Sequence, residues 1–256
     1  MTKTGTNHIV LNDVVRRGLF GILLAAVALV AGCAFPGGAL TPESAAGQRA
    51  VEAPHLTVGT RWVYRARDGF RVPVVWTETR EIVAHDASGY TVRITQRGPS
   101  VDGTRTEIWS APGIVRVGAL FNDETRRFKT PLLRYRFPLT SGASWNQWID
   151  NYNETTKKAG QINHYVRVVG WDRVTTPAGD YDAIKLRVLM RLDDDEFWRE
   201  PTTCNDLIWY APAVGAPVRE EKNCQYRERG DHRDGIDVIP TQHALIELES
   251  YTPGPG

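Results

Sequence analysis

Three cysteines, six histidines, eight tryptophans and one acidic run are the residues of this 256-residue chain whose types could do specific chemistry. Cys204 and Cys224 flank the turn-rich stretch Ala211-Pro212-Ala213-Val214-Gly215-Ala216-Pro217, which separates two strand-like runs, 207–210 and 218–221. A hairpin centred on Val214 sets Trp209 opposite Arg219 and Cys204 opposite Cys224. Directly opposed strand residues lie near disulfide range, so a structural bridge is expected. A metal site would need a histidine cluster beside them. Asp193-Asp194-Asp195-Glu196, with Asp231, Asp234 and Asp237, offers oxygen ligands without the spacing and glycine of a calcium loop. It reads as a solvated turn. The histidines His55, His85, His164, His232 and His243 are scattered, with no His-Glu-x-x-His pattern. Gly142-Ala143-Ser144-Trp145 lacks the closing glycine of a nucleophile elbow, and no serine stands three residues before a lysine. The spacing therefore points to no catalytic residue, no metal ligand and no cofactor. Trp62, Trp109, Trp145 and Trp209 recur at repeated positions and read as core, since tryptophan suits a half-buried strand face. Trp148 and Trp198 remain as candidate contacts for a ligand, either a sugar chain or a lipid.

At the amino terminus, Lys3, Arg16 and Arg17 precede an apolar run, residues 19–30, that stops before Phe35-Pro36-Gly37-Gly38. A membrane-spanning helix needs roughly 20 apolar residues, whereas a basic segment followed by a shorter apolar one reads as a signal peptide. Val30-Ala31-Gly32-Cys33 resembles the lipobox of bacterial lipoproteins, in which the cysteine receives diacylglycerol and becomes the first residue after cleavage. That resemblance implies a signal peptide over 1–32, lipidation of Cys33 with acyl chains such as palmitate, and a membrane partner through that lipid. Arg16-Arg17-Gly18-Leu19-Phe20 also resembles a twin-arginine export signal, so the export route stays open. Ala34 is not the aspartate that retains such proteins in an inner membrane, which points to the outer membrane in a Gram-negative cell. The domain would then face the periplasm or another extracytoplasmic space, where a cysteine pair is bridged rather than free.

Residues 1–32 hold three of the 31 basic residues and one of the 30 acidic ones, so the remainder stands one charge below neutral. That balance argues against nucleic acid, which leaves a basic footprint. Residues 33–54, rich in Ala, Gly and Pro, read as the lipidated anchor and a tether with a reach on the order of 25 Å. From residue 55 onward, period-2 alternation dominates. Tyr90, Val92 and Ile94 alternate with polar residues, as do Ile184, Leu186, Val188 and Met190, and then Ile246 and Leu248. Asp68-Gly69, Asp102-Gly103, Pro112-Gly113 and Pro177-Ala178-Gly179 supply turn signals. The chain also repeats itself. Leu56-Thr57-Val58-Gly59-Thr60-Arg61-Trp62 matches Leu139-Thr140-Ser141-Gly142-Ala143-Ser144-Trp145 at Leu, Thr, Gly and Trp. Ile108-Trp109-Ser110-Ala111-Pro112 likewise matches Ile208-Trp209-Tyr210-Ala211-Pro212. The expectation is an all-β fold of two similar halves, 55–137 and 138–252, with a tail at 253–256. It would be an antiparallel, strongly curved sheet or half-barrel; the alternative is two stacked antiparallel sheets.

The phrases Val174-Thr175-Thr176-Pro177-Ala178-Gly179-Asp180-Tyr181, Trp209-Tyr210-Ala211-Pro212 and Leu248-Glu249-Ser250-Tyr251 resemble, in that order, uncharacterised all-β families of the bacterial envelope. The resemblance covers mainly 138–252 and implies a scaffold without assigned catalytic residues. More remotely, a curved sheet behind a lipobox resembles outer-membrane lipoprotein carriers, an analogy of fold alone. Together these readings predict a lipid-anchored, non-catalytic binding module that holds an apolar ligand or an envelope partner on its concave face. The alternatives are a structural or assembly accessory of the envelope and an envelope hydrolase. An apolar-ligand carrier predicts a large, dry cavity lined by Trp, Leu and Val.

Overall fold

The computed structural model describes residues 49–193, 196–229 and 237–255. The expected signal peptide, Cys33, Asp194, Asp195, Asp231, His232 and Asp234 lie outside them. The described strands are β1 (Arg61–Asp68), β2 (Val74–Asp86), β3 (Gly89–Arg97), β4 (Asp102–Ala111), β5 (Ile114–Ala119) and β6 (Thr125–Leu133). They continue as β7 (Ser144–Asn153), β8 (Lys158–Thr176), β9 (Gly179–Asp193), β10 (Thr202–Ala211), β11 (Ala216–Arg227) and β12 (Val238–Thr252). Each pairs antiparallel with its neighbour in sequence, and β1 closes on β12 with Arg61 opposite Thr252 and Asp68 opposite Ala244.

The result is a closed, up-and-down barrel of twelve strands rather than an open half-barrel or two stacked sheets. Closure supplies the β1 and β12 edges with partners, the one arrangement that removes sheet edges altogether. The described residues from 49 onward form one compact unit that holds both 55–137 and 138–252.

The sequence repeat nevertheless has a structural counterpart six strands apart. Gly59 (φ +90°) and Gly142 (φ +85°) occupy the same left-handed position in the turns that lead into β1 and β7. The Gly59 N–H donates to Ile82 O at 2.8 Å and the Ile82 N–H to Thr60 O at 2.9 Å. Six strands on, the Gly142 N–H donates to Val168 O at 2.9 Å and the Val168 N–H to Ala143 O at 2.8 Å. The register of β2 shifts just after Ile82 and that of β8 just after Val168. The second repeat ends β4 and β10 in the same way, each strand stopping at the alanine before proline.

Two expected boundaries move. Asp102-Gly103 is not a turn: it opens β4, with Asp102 opposite Arg97. The tether ends earlier than residue 54, because Val51 is 2 % exposed and exchanges two backbone hydrogen bonds with Leu139, at 2.9 and 2.8 Å. At the other terminus the Gly254 N–H donates to Thr60 Oγ1, which fixes the expected tail against the start of β1.

In this topology the connections after odd-numbered strands lie at one end of the barrel, here the mouth. Those after even-numbered strands share the opposite end with Val51 and Gly254. Inward residues form two apolar clusters, one around Leu132, Ile162, Leu186 and Leu192, the other around Trp62, Ile82, Val92 and Leu248. Small eight-stranded barrels are just filled by their side chains, and the lumen widens with strand number. Twelve strands leave interior space that these clusters do not fill.

Candidate functional site

That space is occupied by charge. Glu78 and Arg80 share the inward parity of Ile82 on β2, Glu107 lies between Arg105 and Trp109 on β4, and Glu220 and Lys222 are in phase with Val218 and Cys224 on β11. Arg80 bridges the lumen: its Nε donates to Glu78 at 2.7 Å and its Nη1 to Glu220 at 2.6 Å, with the guanidinium 4.4 Å above the Tyr64 ring. Gln96 donates to Glu78 at 2.9 Å and to Asp123 at 2.8 Å, and Arg105 reaches Asp123 at 2.8 Å. Arg134 grips Glu107 through both oxygens at 2.9 and 3.2 Å, and the carboxylate also accepts Trp109 Nε1 at 2.8 Å and the Ala119 N–H at 3.2 Å.

Burial alone would raise the Glu107 carboxyl, but Arg134 more than reverses it and holds the group at about 2. Glu220 behaves alike: burial raises it, and Arg80 and Lys222 bring it down to about 2. Desolvation wins where partners are few. Asp206, 3 % exposed with one accepted bond from the Asn223 N–H at 3.1 Å, is pushed up by burial to about 7 against the pull of Lys222. Burial lowers His164 to about 3, so its imidazole is neutral at physiological pH.

Two cavities adjoin this network. An inner chamber of about 100 Å³ is lined by His164, Asp206, Tyr210 and Glu220 together with Met190 and Ile208. His164 Nδ1 and the Tyr210 hydroxyl, both buried there, have no hydrogen-bond partner among the described residues. A wider vestibule of about 490 Å³ lies at the mouth, formed by the β1–β2, β3–β4 and β5–β6 connections and the first half of β12. Arg80, Arg105, Ala119, Leu120 and Lys222 line both spaces and so form the wall between them. Phe70, Val74, Phe121 and Ile246 give the vestibule an apolar side. Trp76 Nε1, Arg105 Nε and Thr241 Oγ1 are buried at its lining without a partner among the described residues.

The interior is thus not the dry chamber lined by Trp, Leu and Val that an apolar-ligand carrier predicts. Charged side chains line the wall between the two spaces. The chain resembles two solved structures in fold. One is a provisionally named lipoprotein from Parabacteroides distasonis, at 14% identity and a TM-score of 0.46. The other is a provisionally named exported protein with a YmcC-like fold from Bacteroides fragilis, at 14% identity and a TM-score of 0.49. Each match covers 80% of this chain and 100% of the other. No family model and no curated protein matches the chain.

The residues singled out in the sequence are not brought together. Cys204 and Cys224 face each other across β10 and β11 and are bonded, with Trp209 opposite Arg219 as the hairpin register requires. Trp62, Trp145 and Trp209 are buried, and their indoles donate to Val214 O, Leu133 O and Asp172. Trp148 is 61 % exposed on the outer face of β7, because it has the opposite parity to Trp145 and Ile149. Trp198, in the β9–β10 connection, donates to Glu196 and meets the Tyr226 ring edge-on. Neither lines the chamber or the vestibule. Glu196 is engaged by Lys158 at 2.6 Å. Among the described residues, no three His, Cys, Asp or Glu side chains converge as metal ligands. The charged lining went unread in the sequence, although its signal is present: a charged residue at the inward parity of a strand, as at Glu78, Glu107 and Glu220.

Proposed function

We propose that the protein is a non-catalytic binding module of the bacterial envelope, anchored by lipid at Cys33, that takes an amphipathic ligand into the vestibule. The observation that carries this reading is the vestibule itself, about 490 Å³ with one apolar side and a charged wall that includes Arg80, Arg105 and Lys222. Ligand pockets commonly measure about 300–1,000 Å³ and pair apolar walls with a few polar groups. The inner chamber, at about 100 Å³, is smaller than the engineered cavity of about 150 Å³ that admits benzene. It has room for water or the tip of a ligand, not for an acyl chain. Val51 docks at the end of the barrel opposite the mouth.

Native mass spectrometry of the mature chain purified from its own host, followed by extraction, tests the reading. A small amphiphile is expected on the wild type and on Trp148→Ser, and not on Val74→Trp, which fills the vestibule from a position that is 41 % exposed. A ligand retained by Val74→Trp, or bare protein throughout, overturns it.

A second reading, an accessory that docks a protein partner over the mouth, is favoured by one observation. Val72, Phe197 and Phe70 are 90, 86 and 61 % exposed on connections at that end. Contiguous exposed apolar side chains mark interaction surfaces, and Phe70 and Val72 share the β1–β2 connection. A stoichiometric protein lost on Val72→Glu, with no small molecule, would select it.

A further inference from the structure

The outside of the mouth pairs an apolar tip with a basic groove. The β1–β2 connection and the start of β2 expose Phe70, Val72, Val74 and Val75 at 61, 90, 41 and 48 %. Residues 69–77 include no acid, and Arg71 is their one charge. Beside Val75, on the outer wall, lies a groove of about 690 Å³ lined by Arg65, Arg67 and Arg97, with Glu247 the one acid of its lining. Val75 is part of that lining and stands directly opposite Arg67 in the β1–β2 register. Glu247 faces Arg219 at 3.6 Å, and Arg65 and Arg97 hold exposed Glu249 and Asp102, pairs that are worth little at a surface. Arg67 and Arg71 have no ion-pair partner among the described residues.

We infer that this rim docks on a bilayer that contains anionic lipid, with the β1–β2 tip among the acyl chains and Arg67 and Arg71 at the phosphates. From Val75, level with Arg67, to Val72 is three residues, about 10 Å of extended chain. Apolar faces sink roughly 5–10 Å below the headgroups at an interface, so a tip at that depth leaves Arg67 among the phosphates. Arg71 reaches the same level by extending its stem along the apolar surface. The shape favours lipid over protein. Val72 stands clear between Arg71 and Pro73, and a protein would need a pocket cut to that one point, whereas acyl chains close around any convex apolar tip. The chain also has the reach. Between Cys33 and Val51 lie 17 residues, 34 to 50, which span at most about 60 Å. The climb from Arg61, at the end opposite the mouth, to Val72 is at most about 40 Å. A lipid on Cys33 therefore leaves the mouth free to meet the bilayer that holds the anchor.

Photo-crosslinking of the full chain expressed in its own host tests this, with p-benzoylphenylalanine in place of Val72 or, as control, of Val169. Val169 is 52 % exposed in the half of β8 away from the mouth. Adducts formed in irradiated cells, and by the purified protein on vesicles of phosphatidylglycerol and phosphatidylcholine, are identified by mass spectrometry. Lipid adducts are expected at position 72 and not at position 169. At the phosphatidylglycerol content that gives half the maximal yield, Arg67→Gln should lower the ratio of docked to free protein about fivefold, the worth of one basic residue near an anionic surface. Equal lipid adducts at both positions, or none at position 72, overturn the inference. Protein adducts at position 72 in cells, with no lipid adduct on vesicles, overturn it in favour of a protein partner over the mouth. A yield indifferent both to Arg67→Gln and to phosphatidylglycerol overturns the assignment of an anionic surface. Ligand carriage is read separately by Val74→Trp and survives each of these failures, because Val72 does not line the vestibule.

Discussion

Replacing Asp206 by asparagine should stabilise the barrel, and by more at pH 8 than at pH 5. The carboxyl is 3 % exposed, accepts a single backbone N–H, and is pushed by burial from 3.8 to about 7. Between those two values the folded chain holds a proton that the unfolded chain has released. The stability this group contributes is therefore greatest below its unfolded value and is lost as pH rises toward 7. At about 1.4 kcal/mol per pH unit, the loss between pH 5 and pH 7 is about 3 kcal/mol. Asparagine still accepts the Asn223 N–H and does not titrate. The gain from Asp206→Asn should thus grow by about 3 kcal/mol from pH 5 to pH 8. His164 works in the opposite sense. Its folded value of about 3 lies below the usual 6.5, so its contribution rises with pH until the unfolded imidazole is neutral. The two groups oppose each other between pH 5 and 6.5, which flattens the wild-type profile there. The difference between variant and wild type cancels the histidine and isolates the carboxyl. Urea unfolding followed by tryptophan fluorescence at both pH values measures it. A gain equal at pH 5 and pH 8 would refute the argument, because it would mean that Asp206 is ionised in the folded barrel at both.

Glu107→Gln leaves the Arg134 guanidinium buried without its carboxylate and should cost about 3–5 kcal/mol, read from the urea midpoint; a loss below about 1 kcal/mol would show the pair to be solvated. The Cys204–Cys224 bond closes a loop of 20 residues, so the double serine variant should lose about 3 kcal/mol. An unfolding temperature insensitive to reductant would contradict that. Gly89→Ala places a methyl against the Trp109 carbonyl oxygen at φ +118°, in backbone that alanine rarely adopts. It should lower stability by about 1–3 kcal/mol or more, and a thermal melt matching the wild type would refute the described β3–β4 geometry.

Local features were legible because they depend on neighbours in the chain. The hairpin register from Cys204 to Cys224 follows from counting outward from Val214. The alternation of Tyr90, Val92 and Ile94 follows from the two-residue period of a strand. The recurrence of Gly59 at Gly142 is written in the sequence, and each glycine takes a positive φ at the entry to its strand. Trp148 is three residues from Trp145, and an odd step along a strand turns its side chain to the outer face. Asp102-Gly103 misled because Val101 and Gly98 already close that connection with their own backbone bonds.

The sequence by itself determined an all-β chain, its strand phases, its repeated turns and the partner of each remaining cysteine. All of these are set by residues close together or directly opposed in a hairpin. Only the tertiary structure decided that Arg61 meets Thr252, and with it that the sheet closes. Nothing local encodes a pairing across 191 positions; it is selected by removing two unpaired edges. Closure in turn decided the chemistry of the lumen. Arg80 and Glu220 are 140 residues apart, and the inward parity of each does not name its partner. Facing one another in a buried interior they become an obligatory pair, and the vestibule at the mouth is a space that only the closed barrel creates.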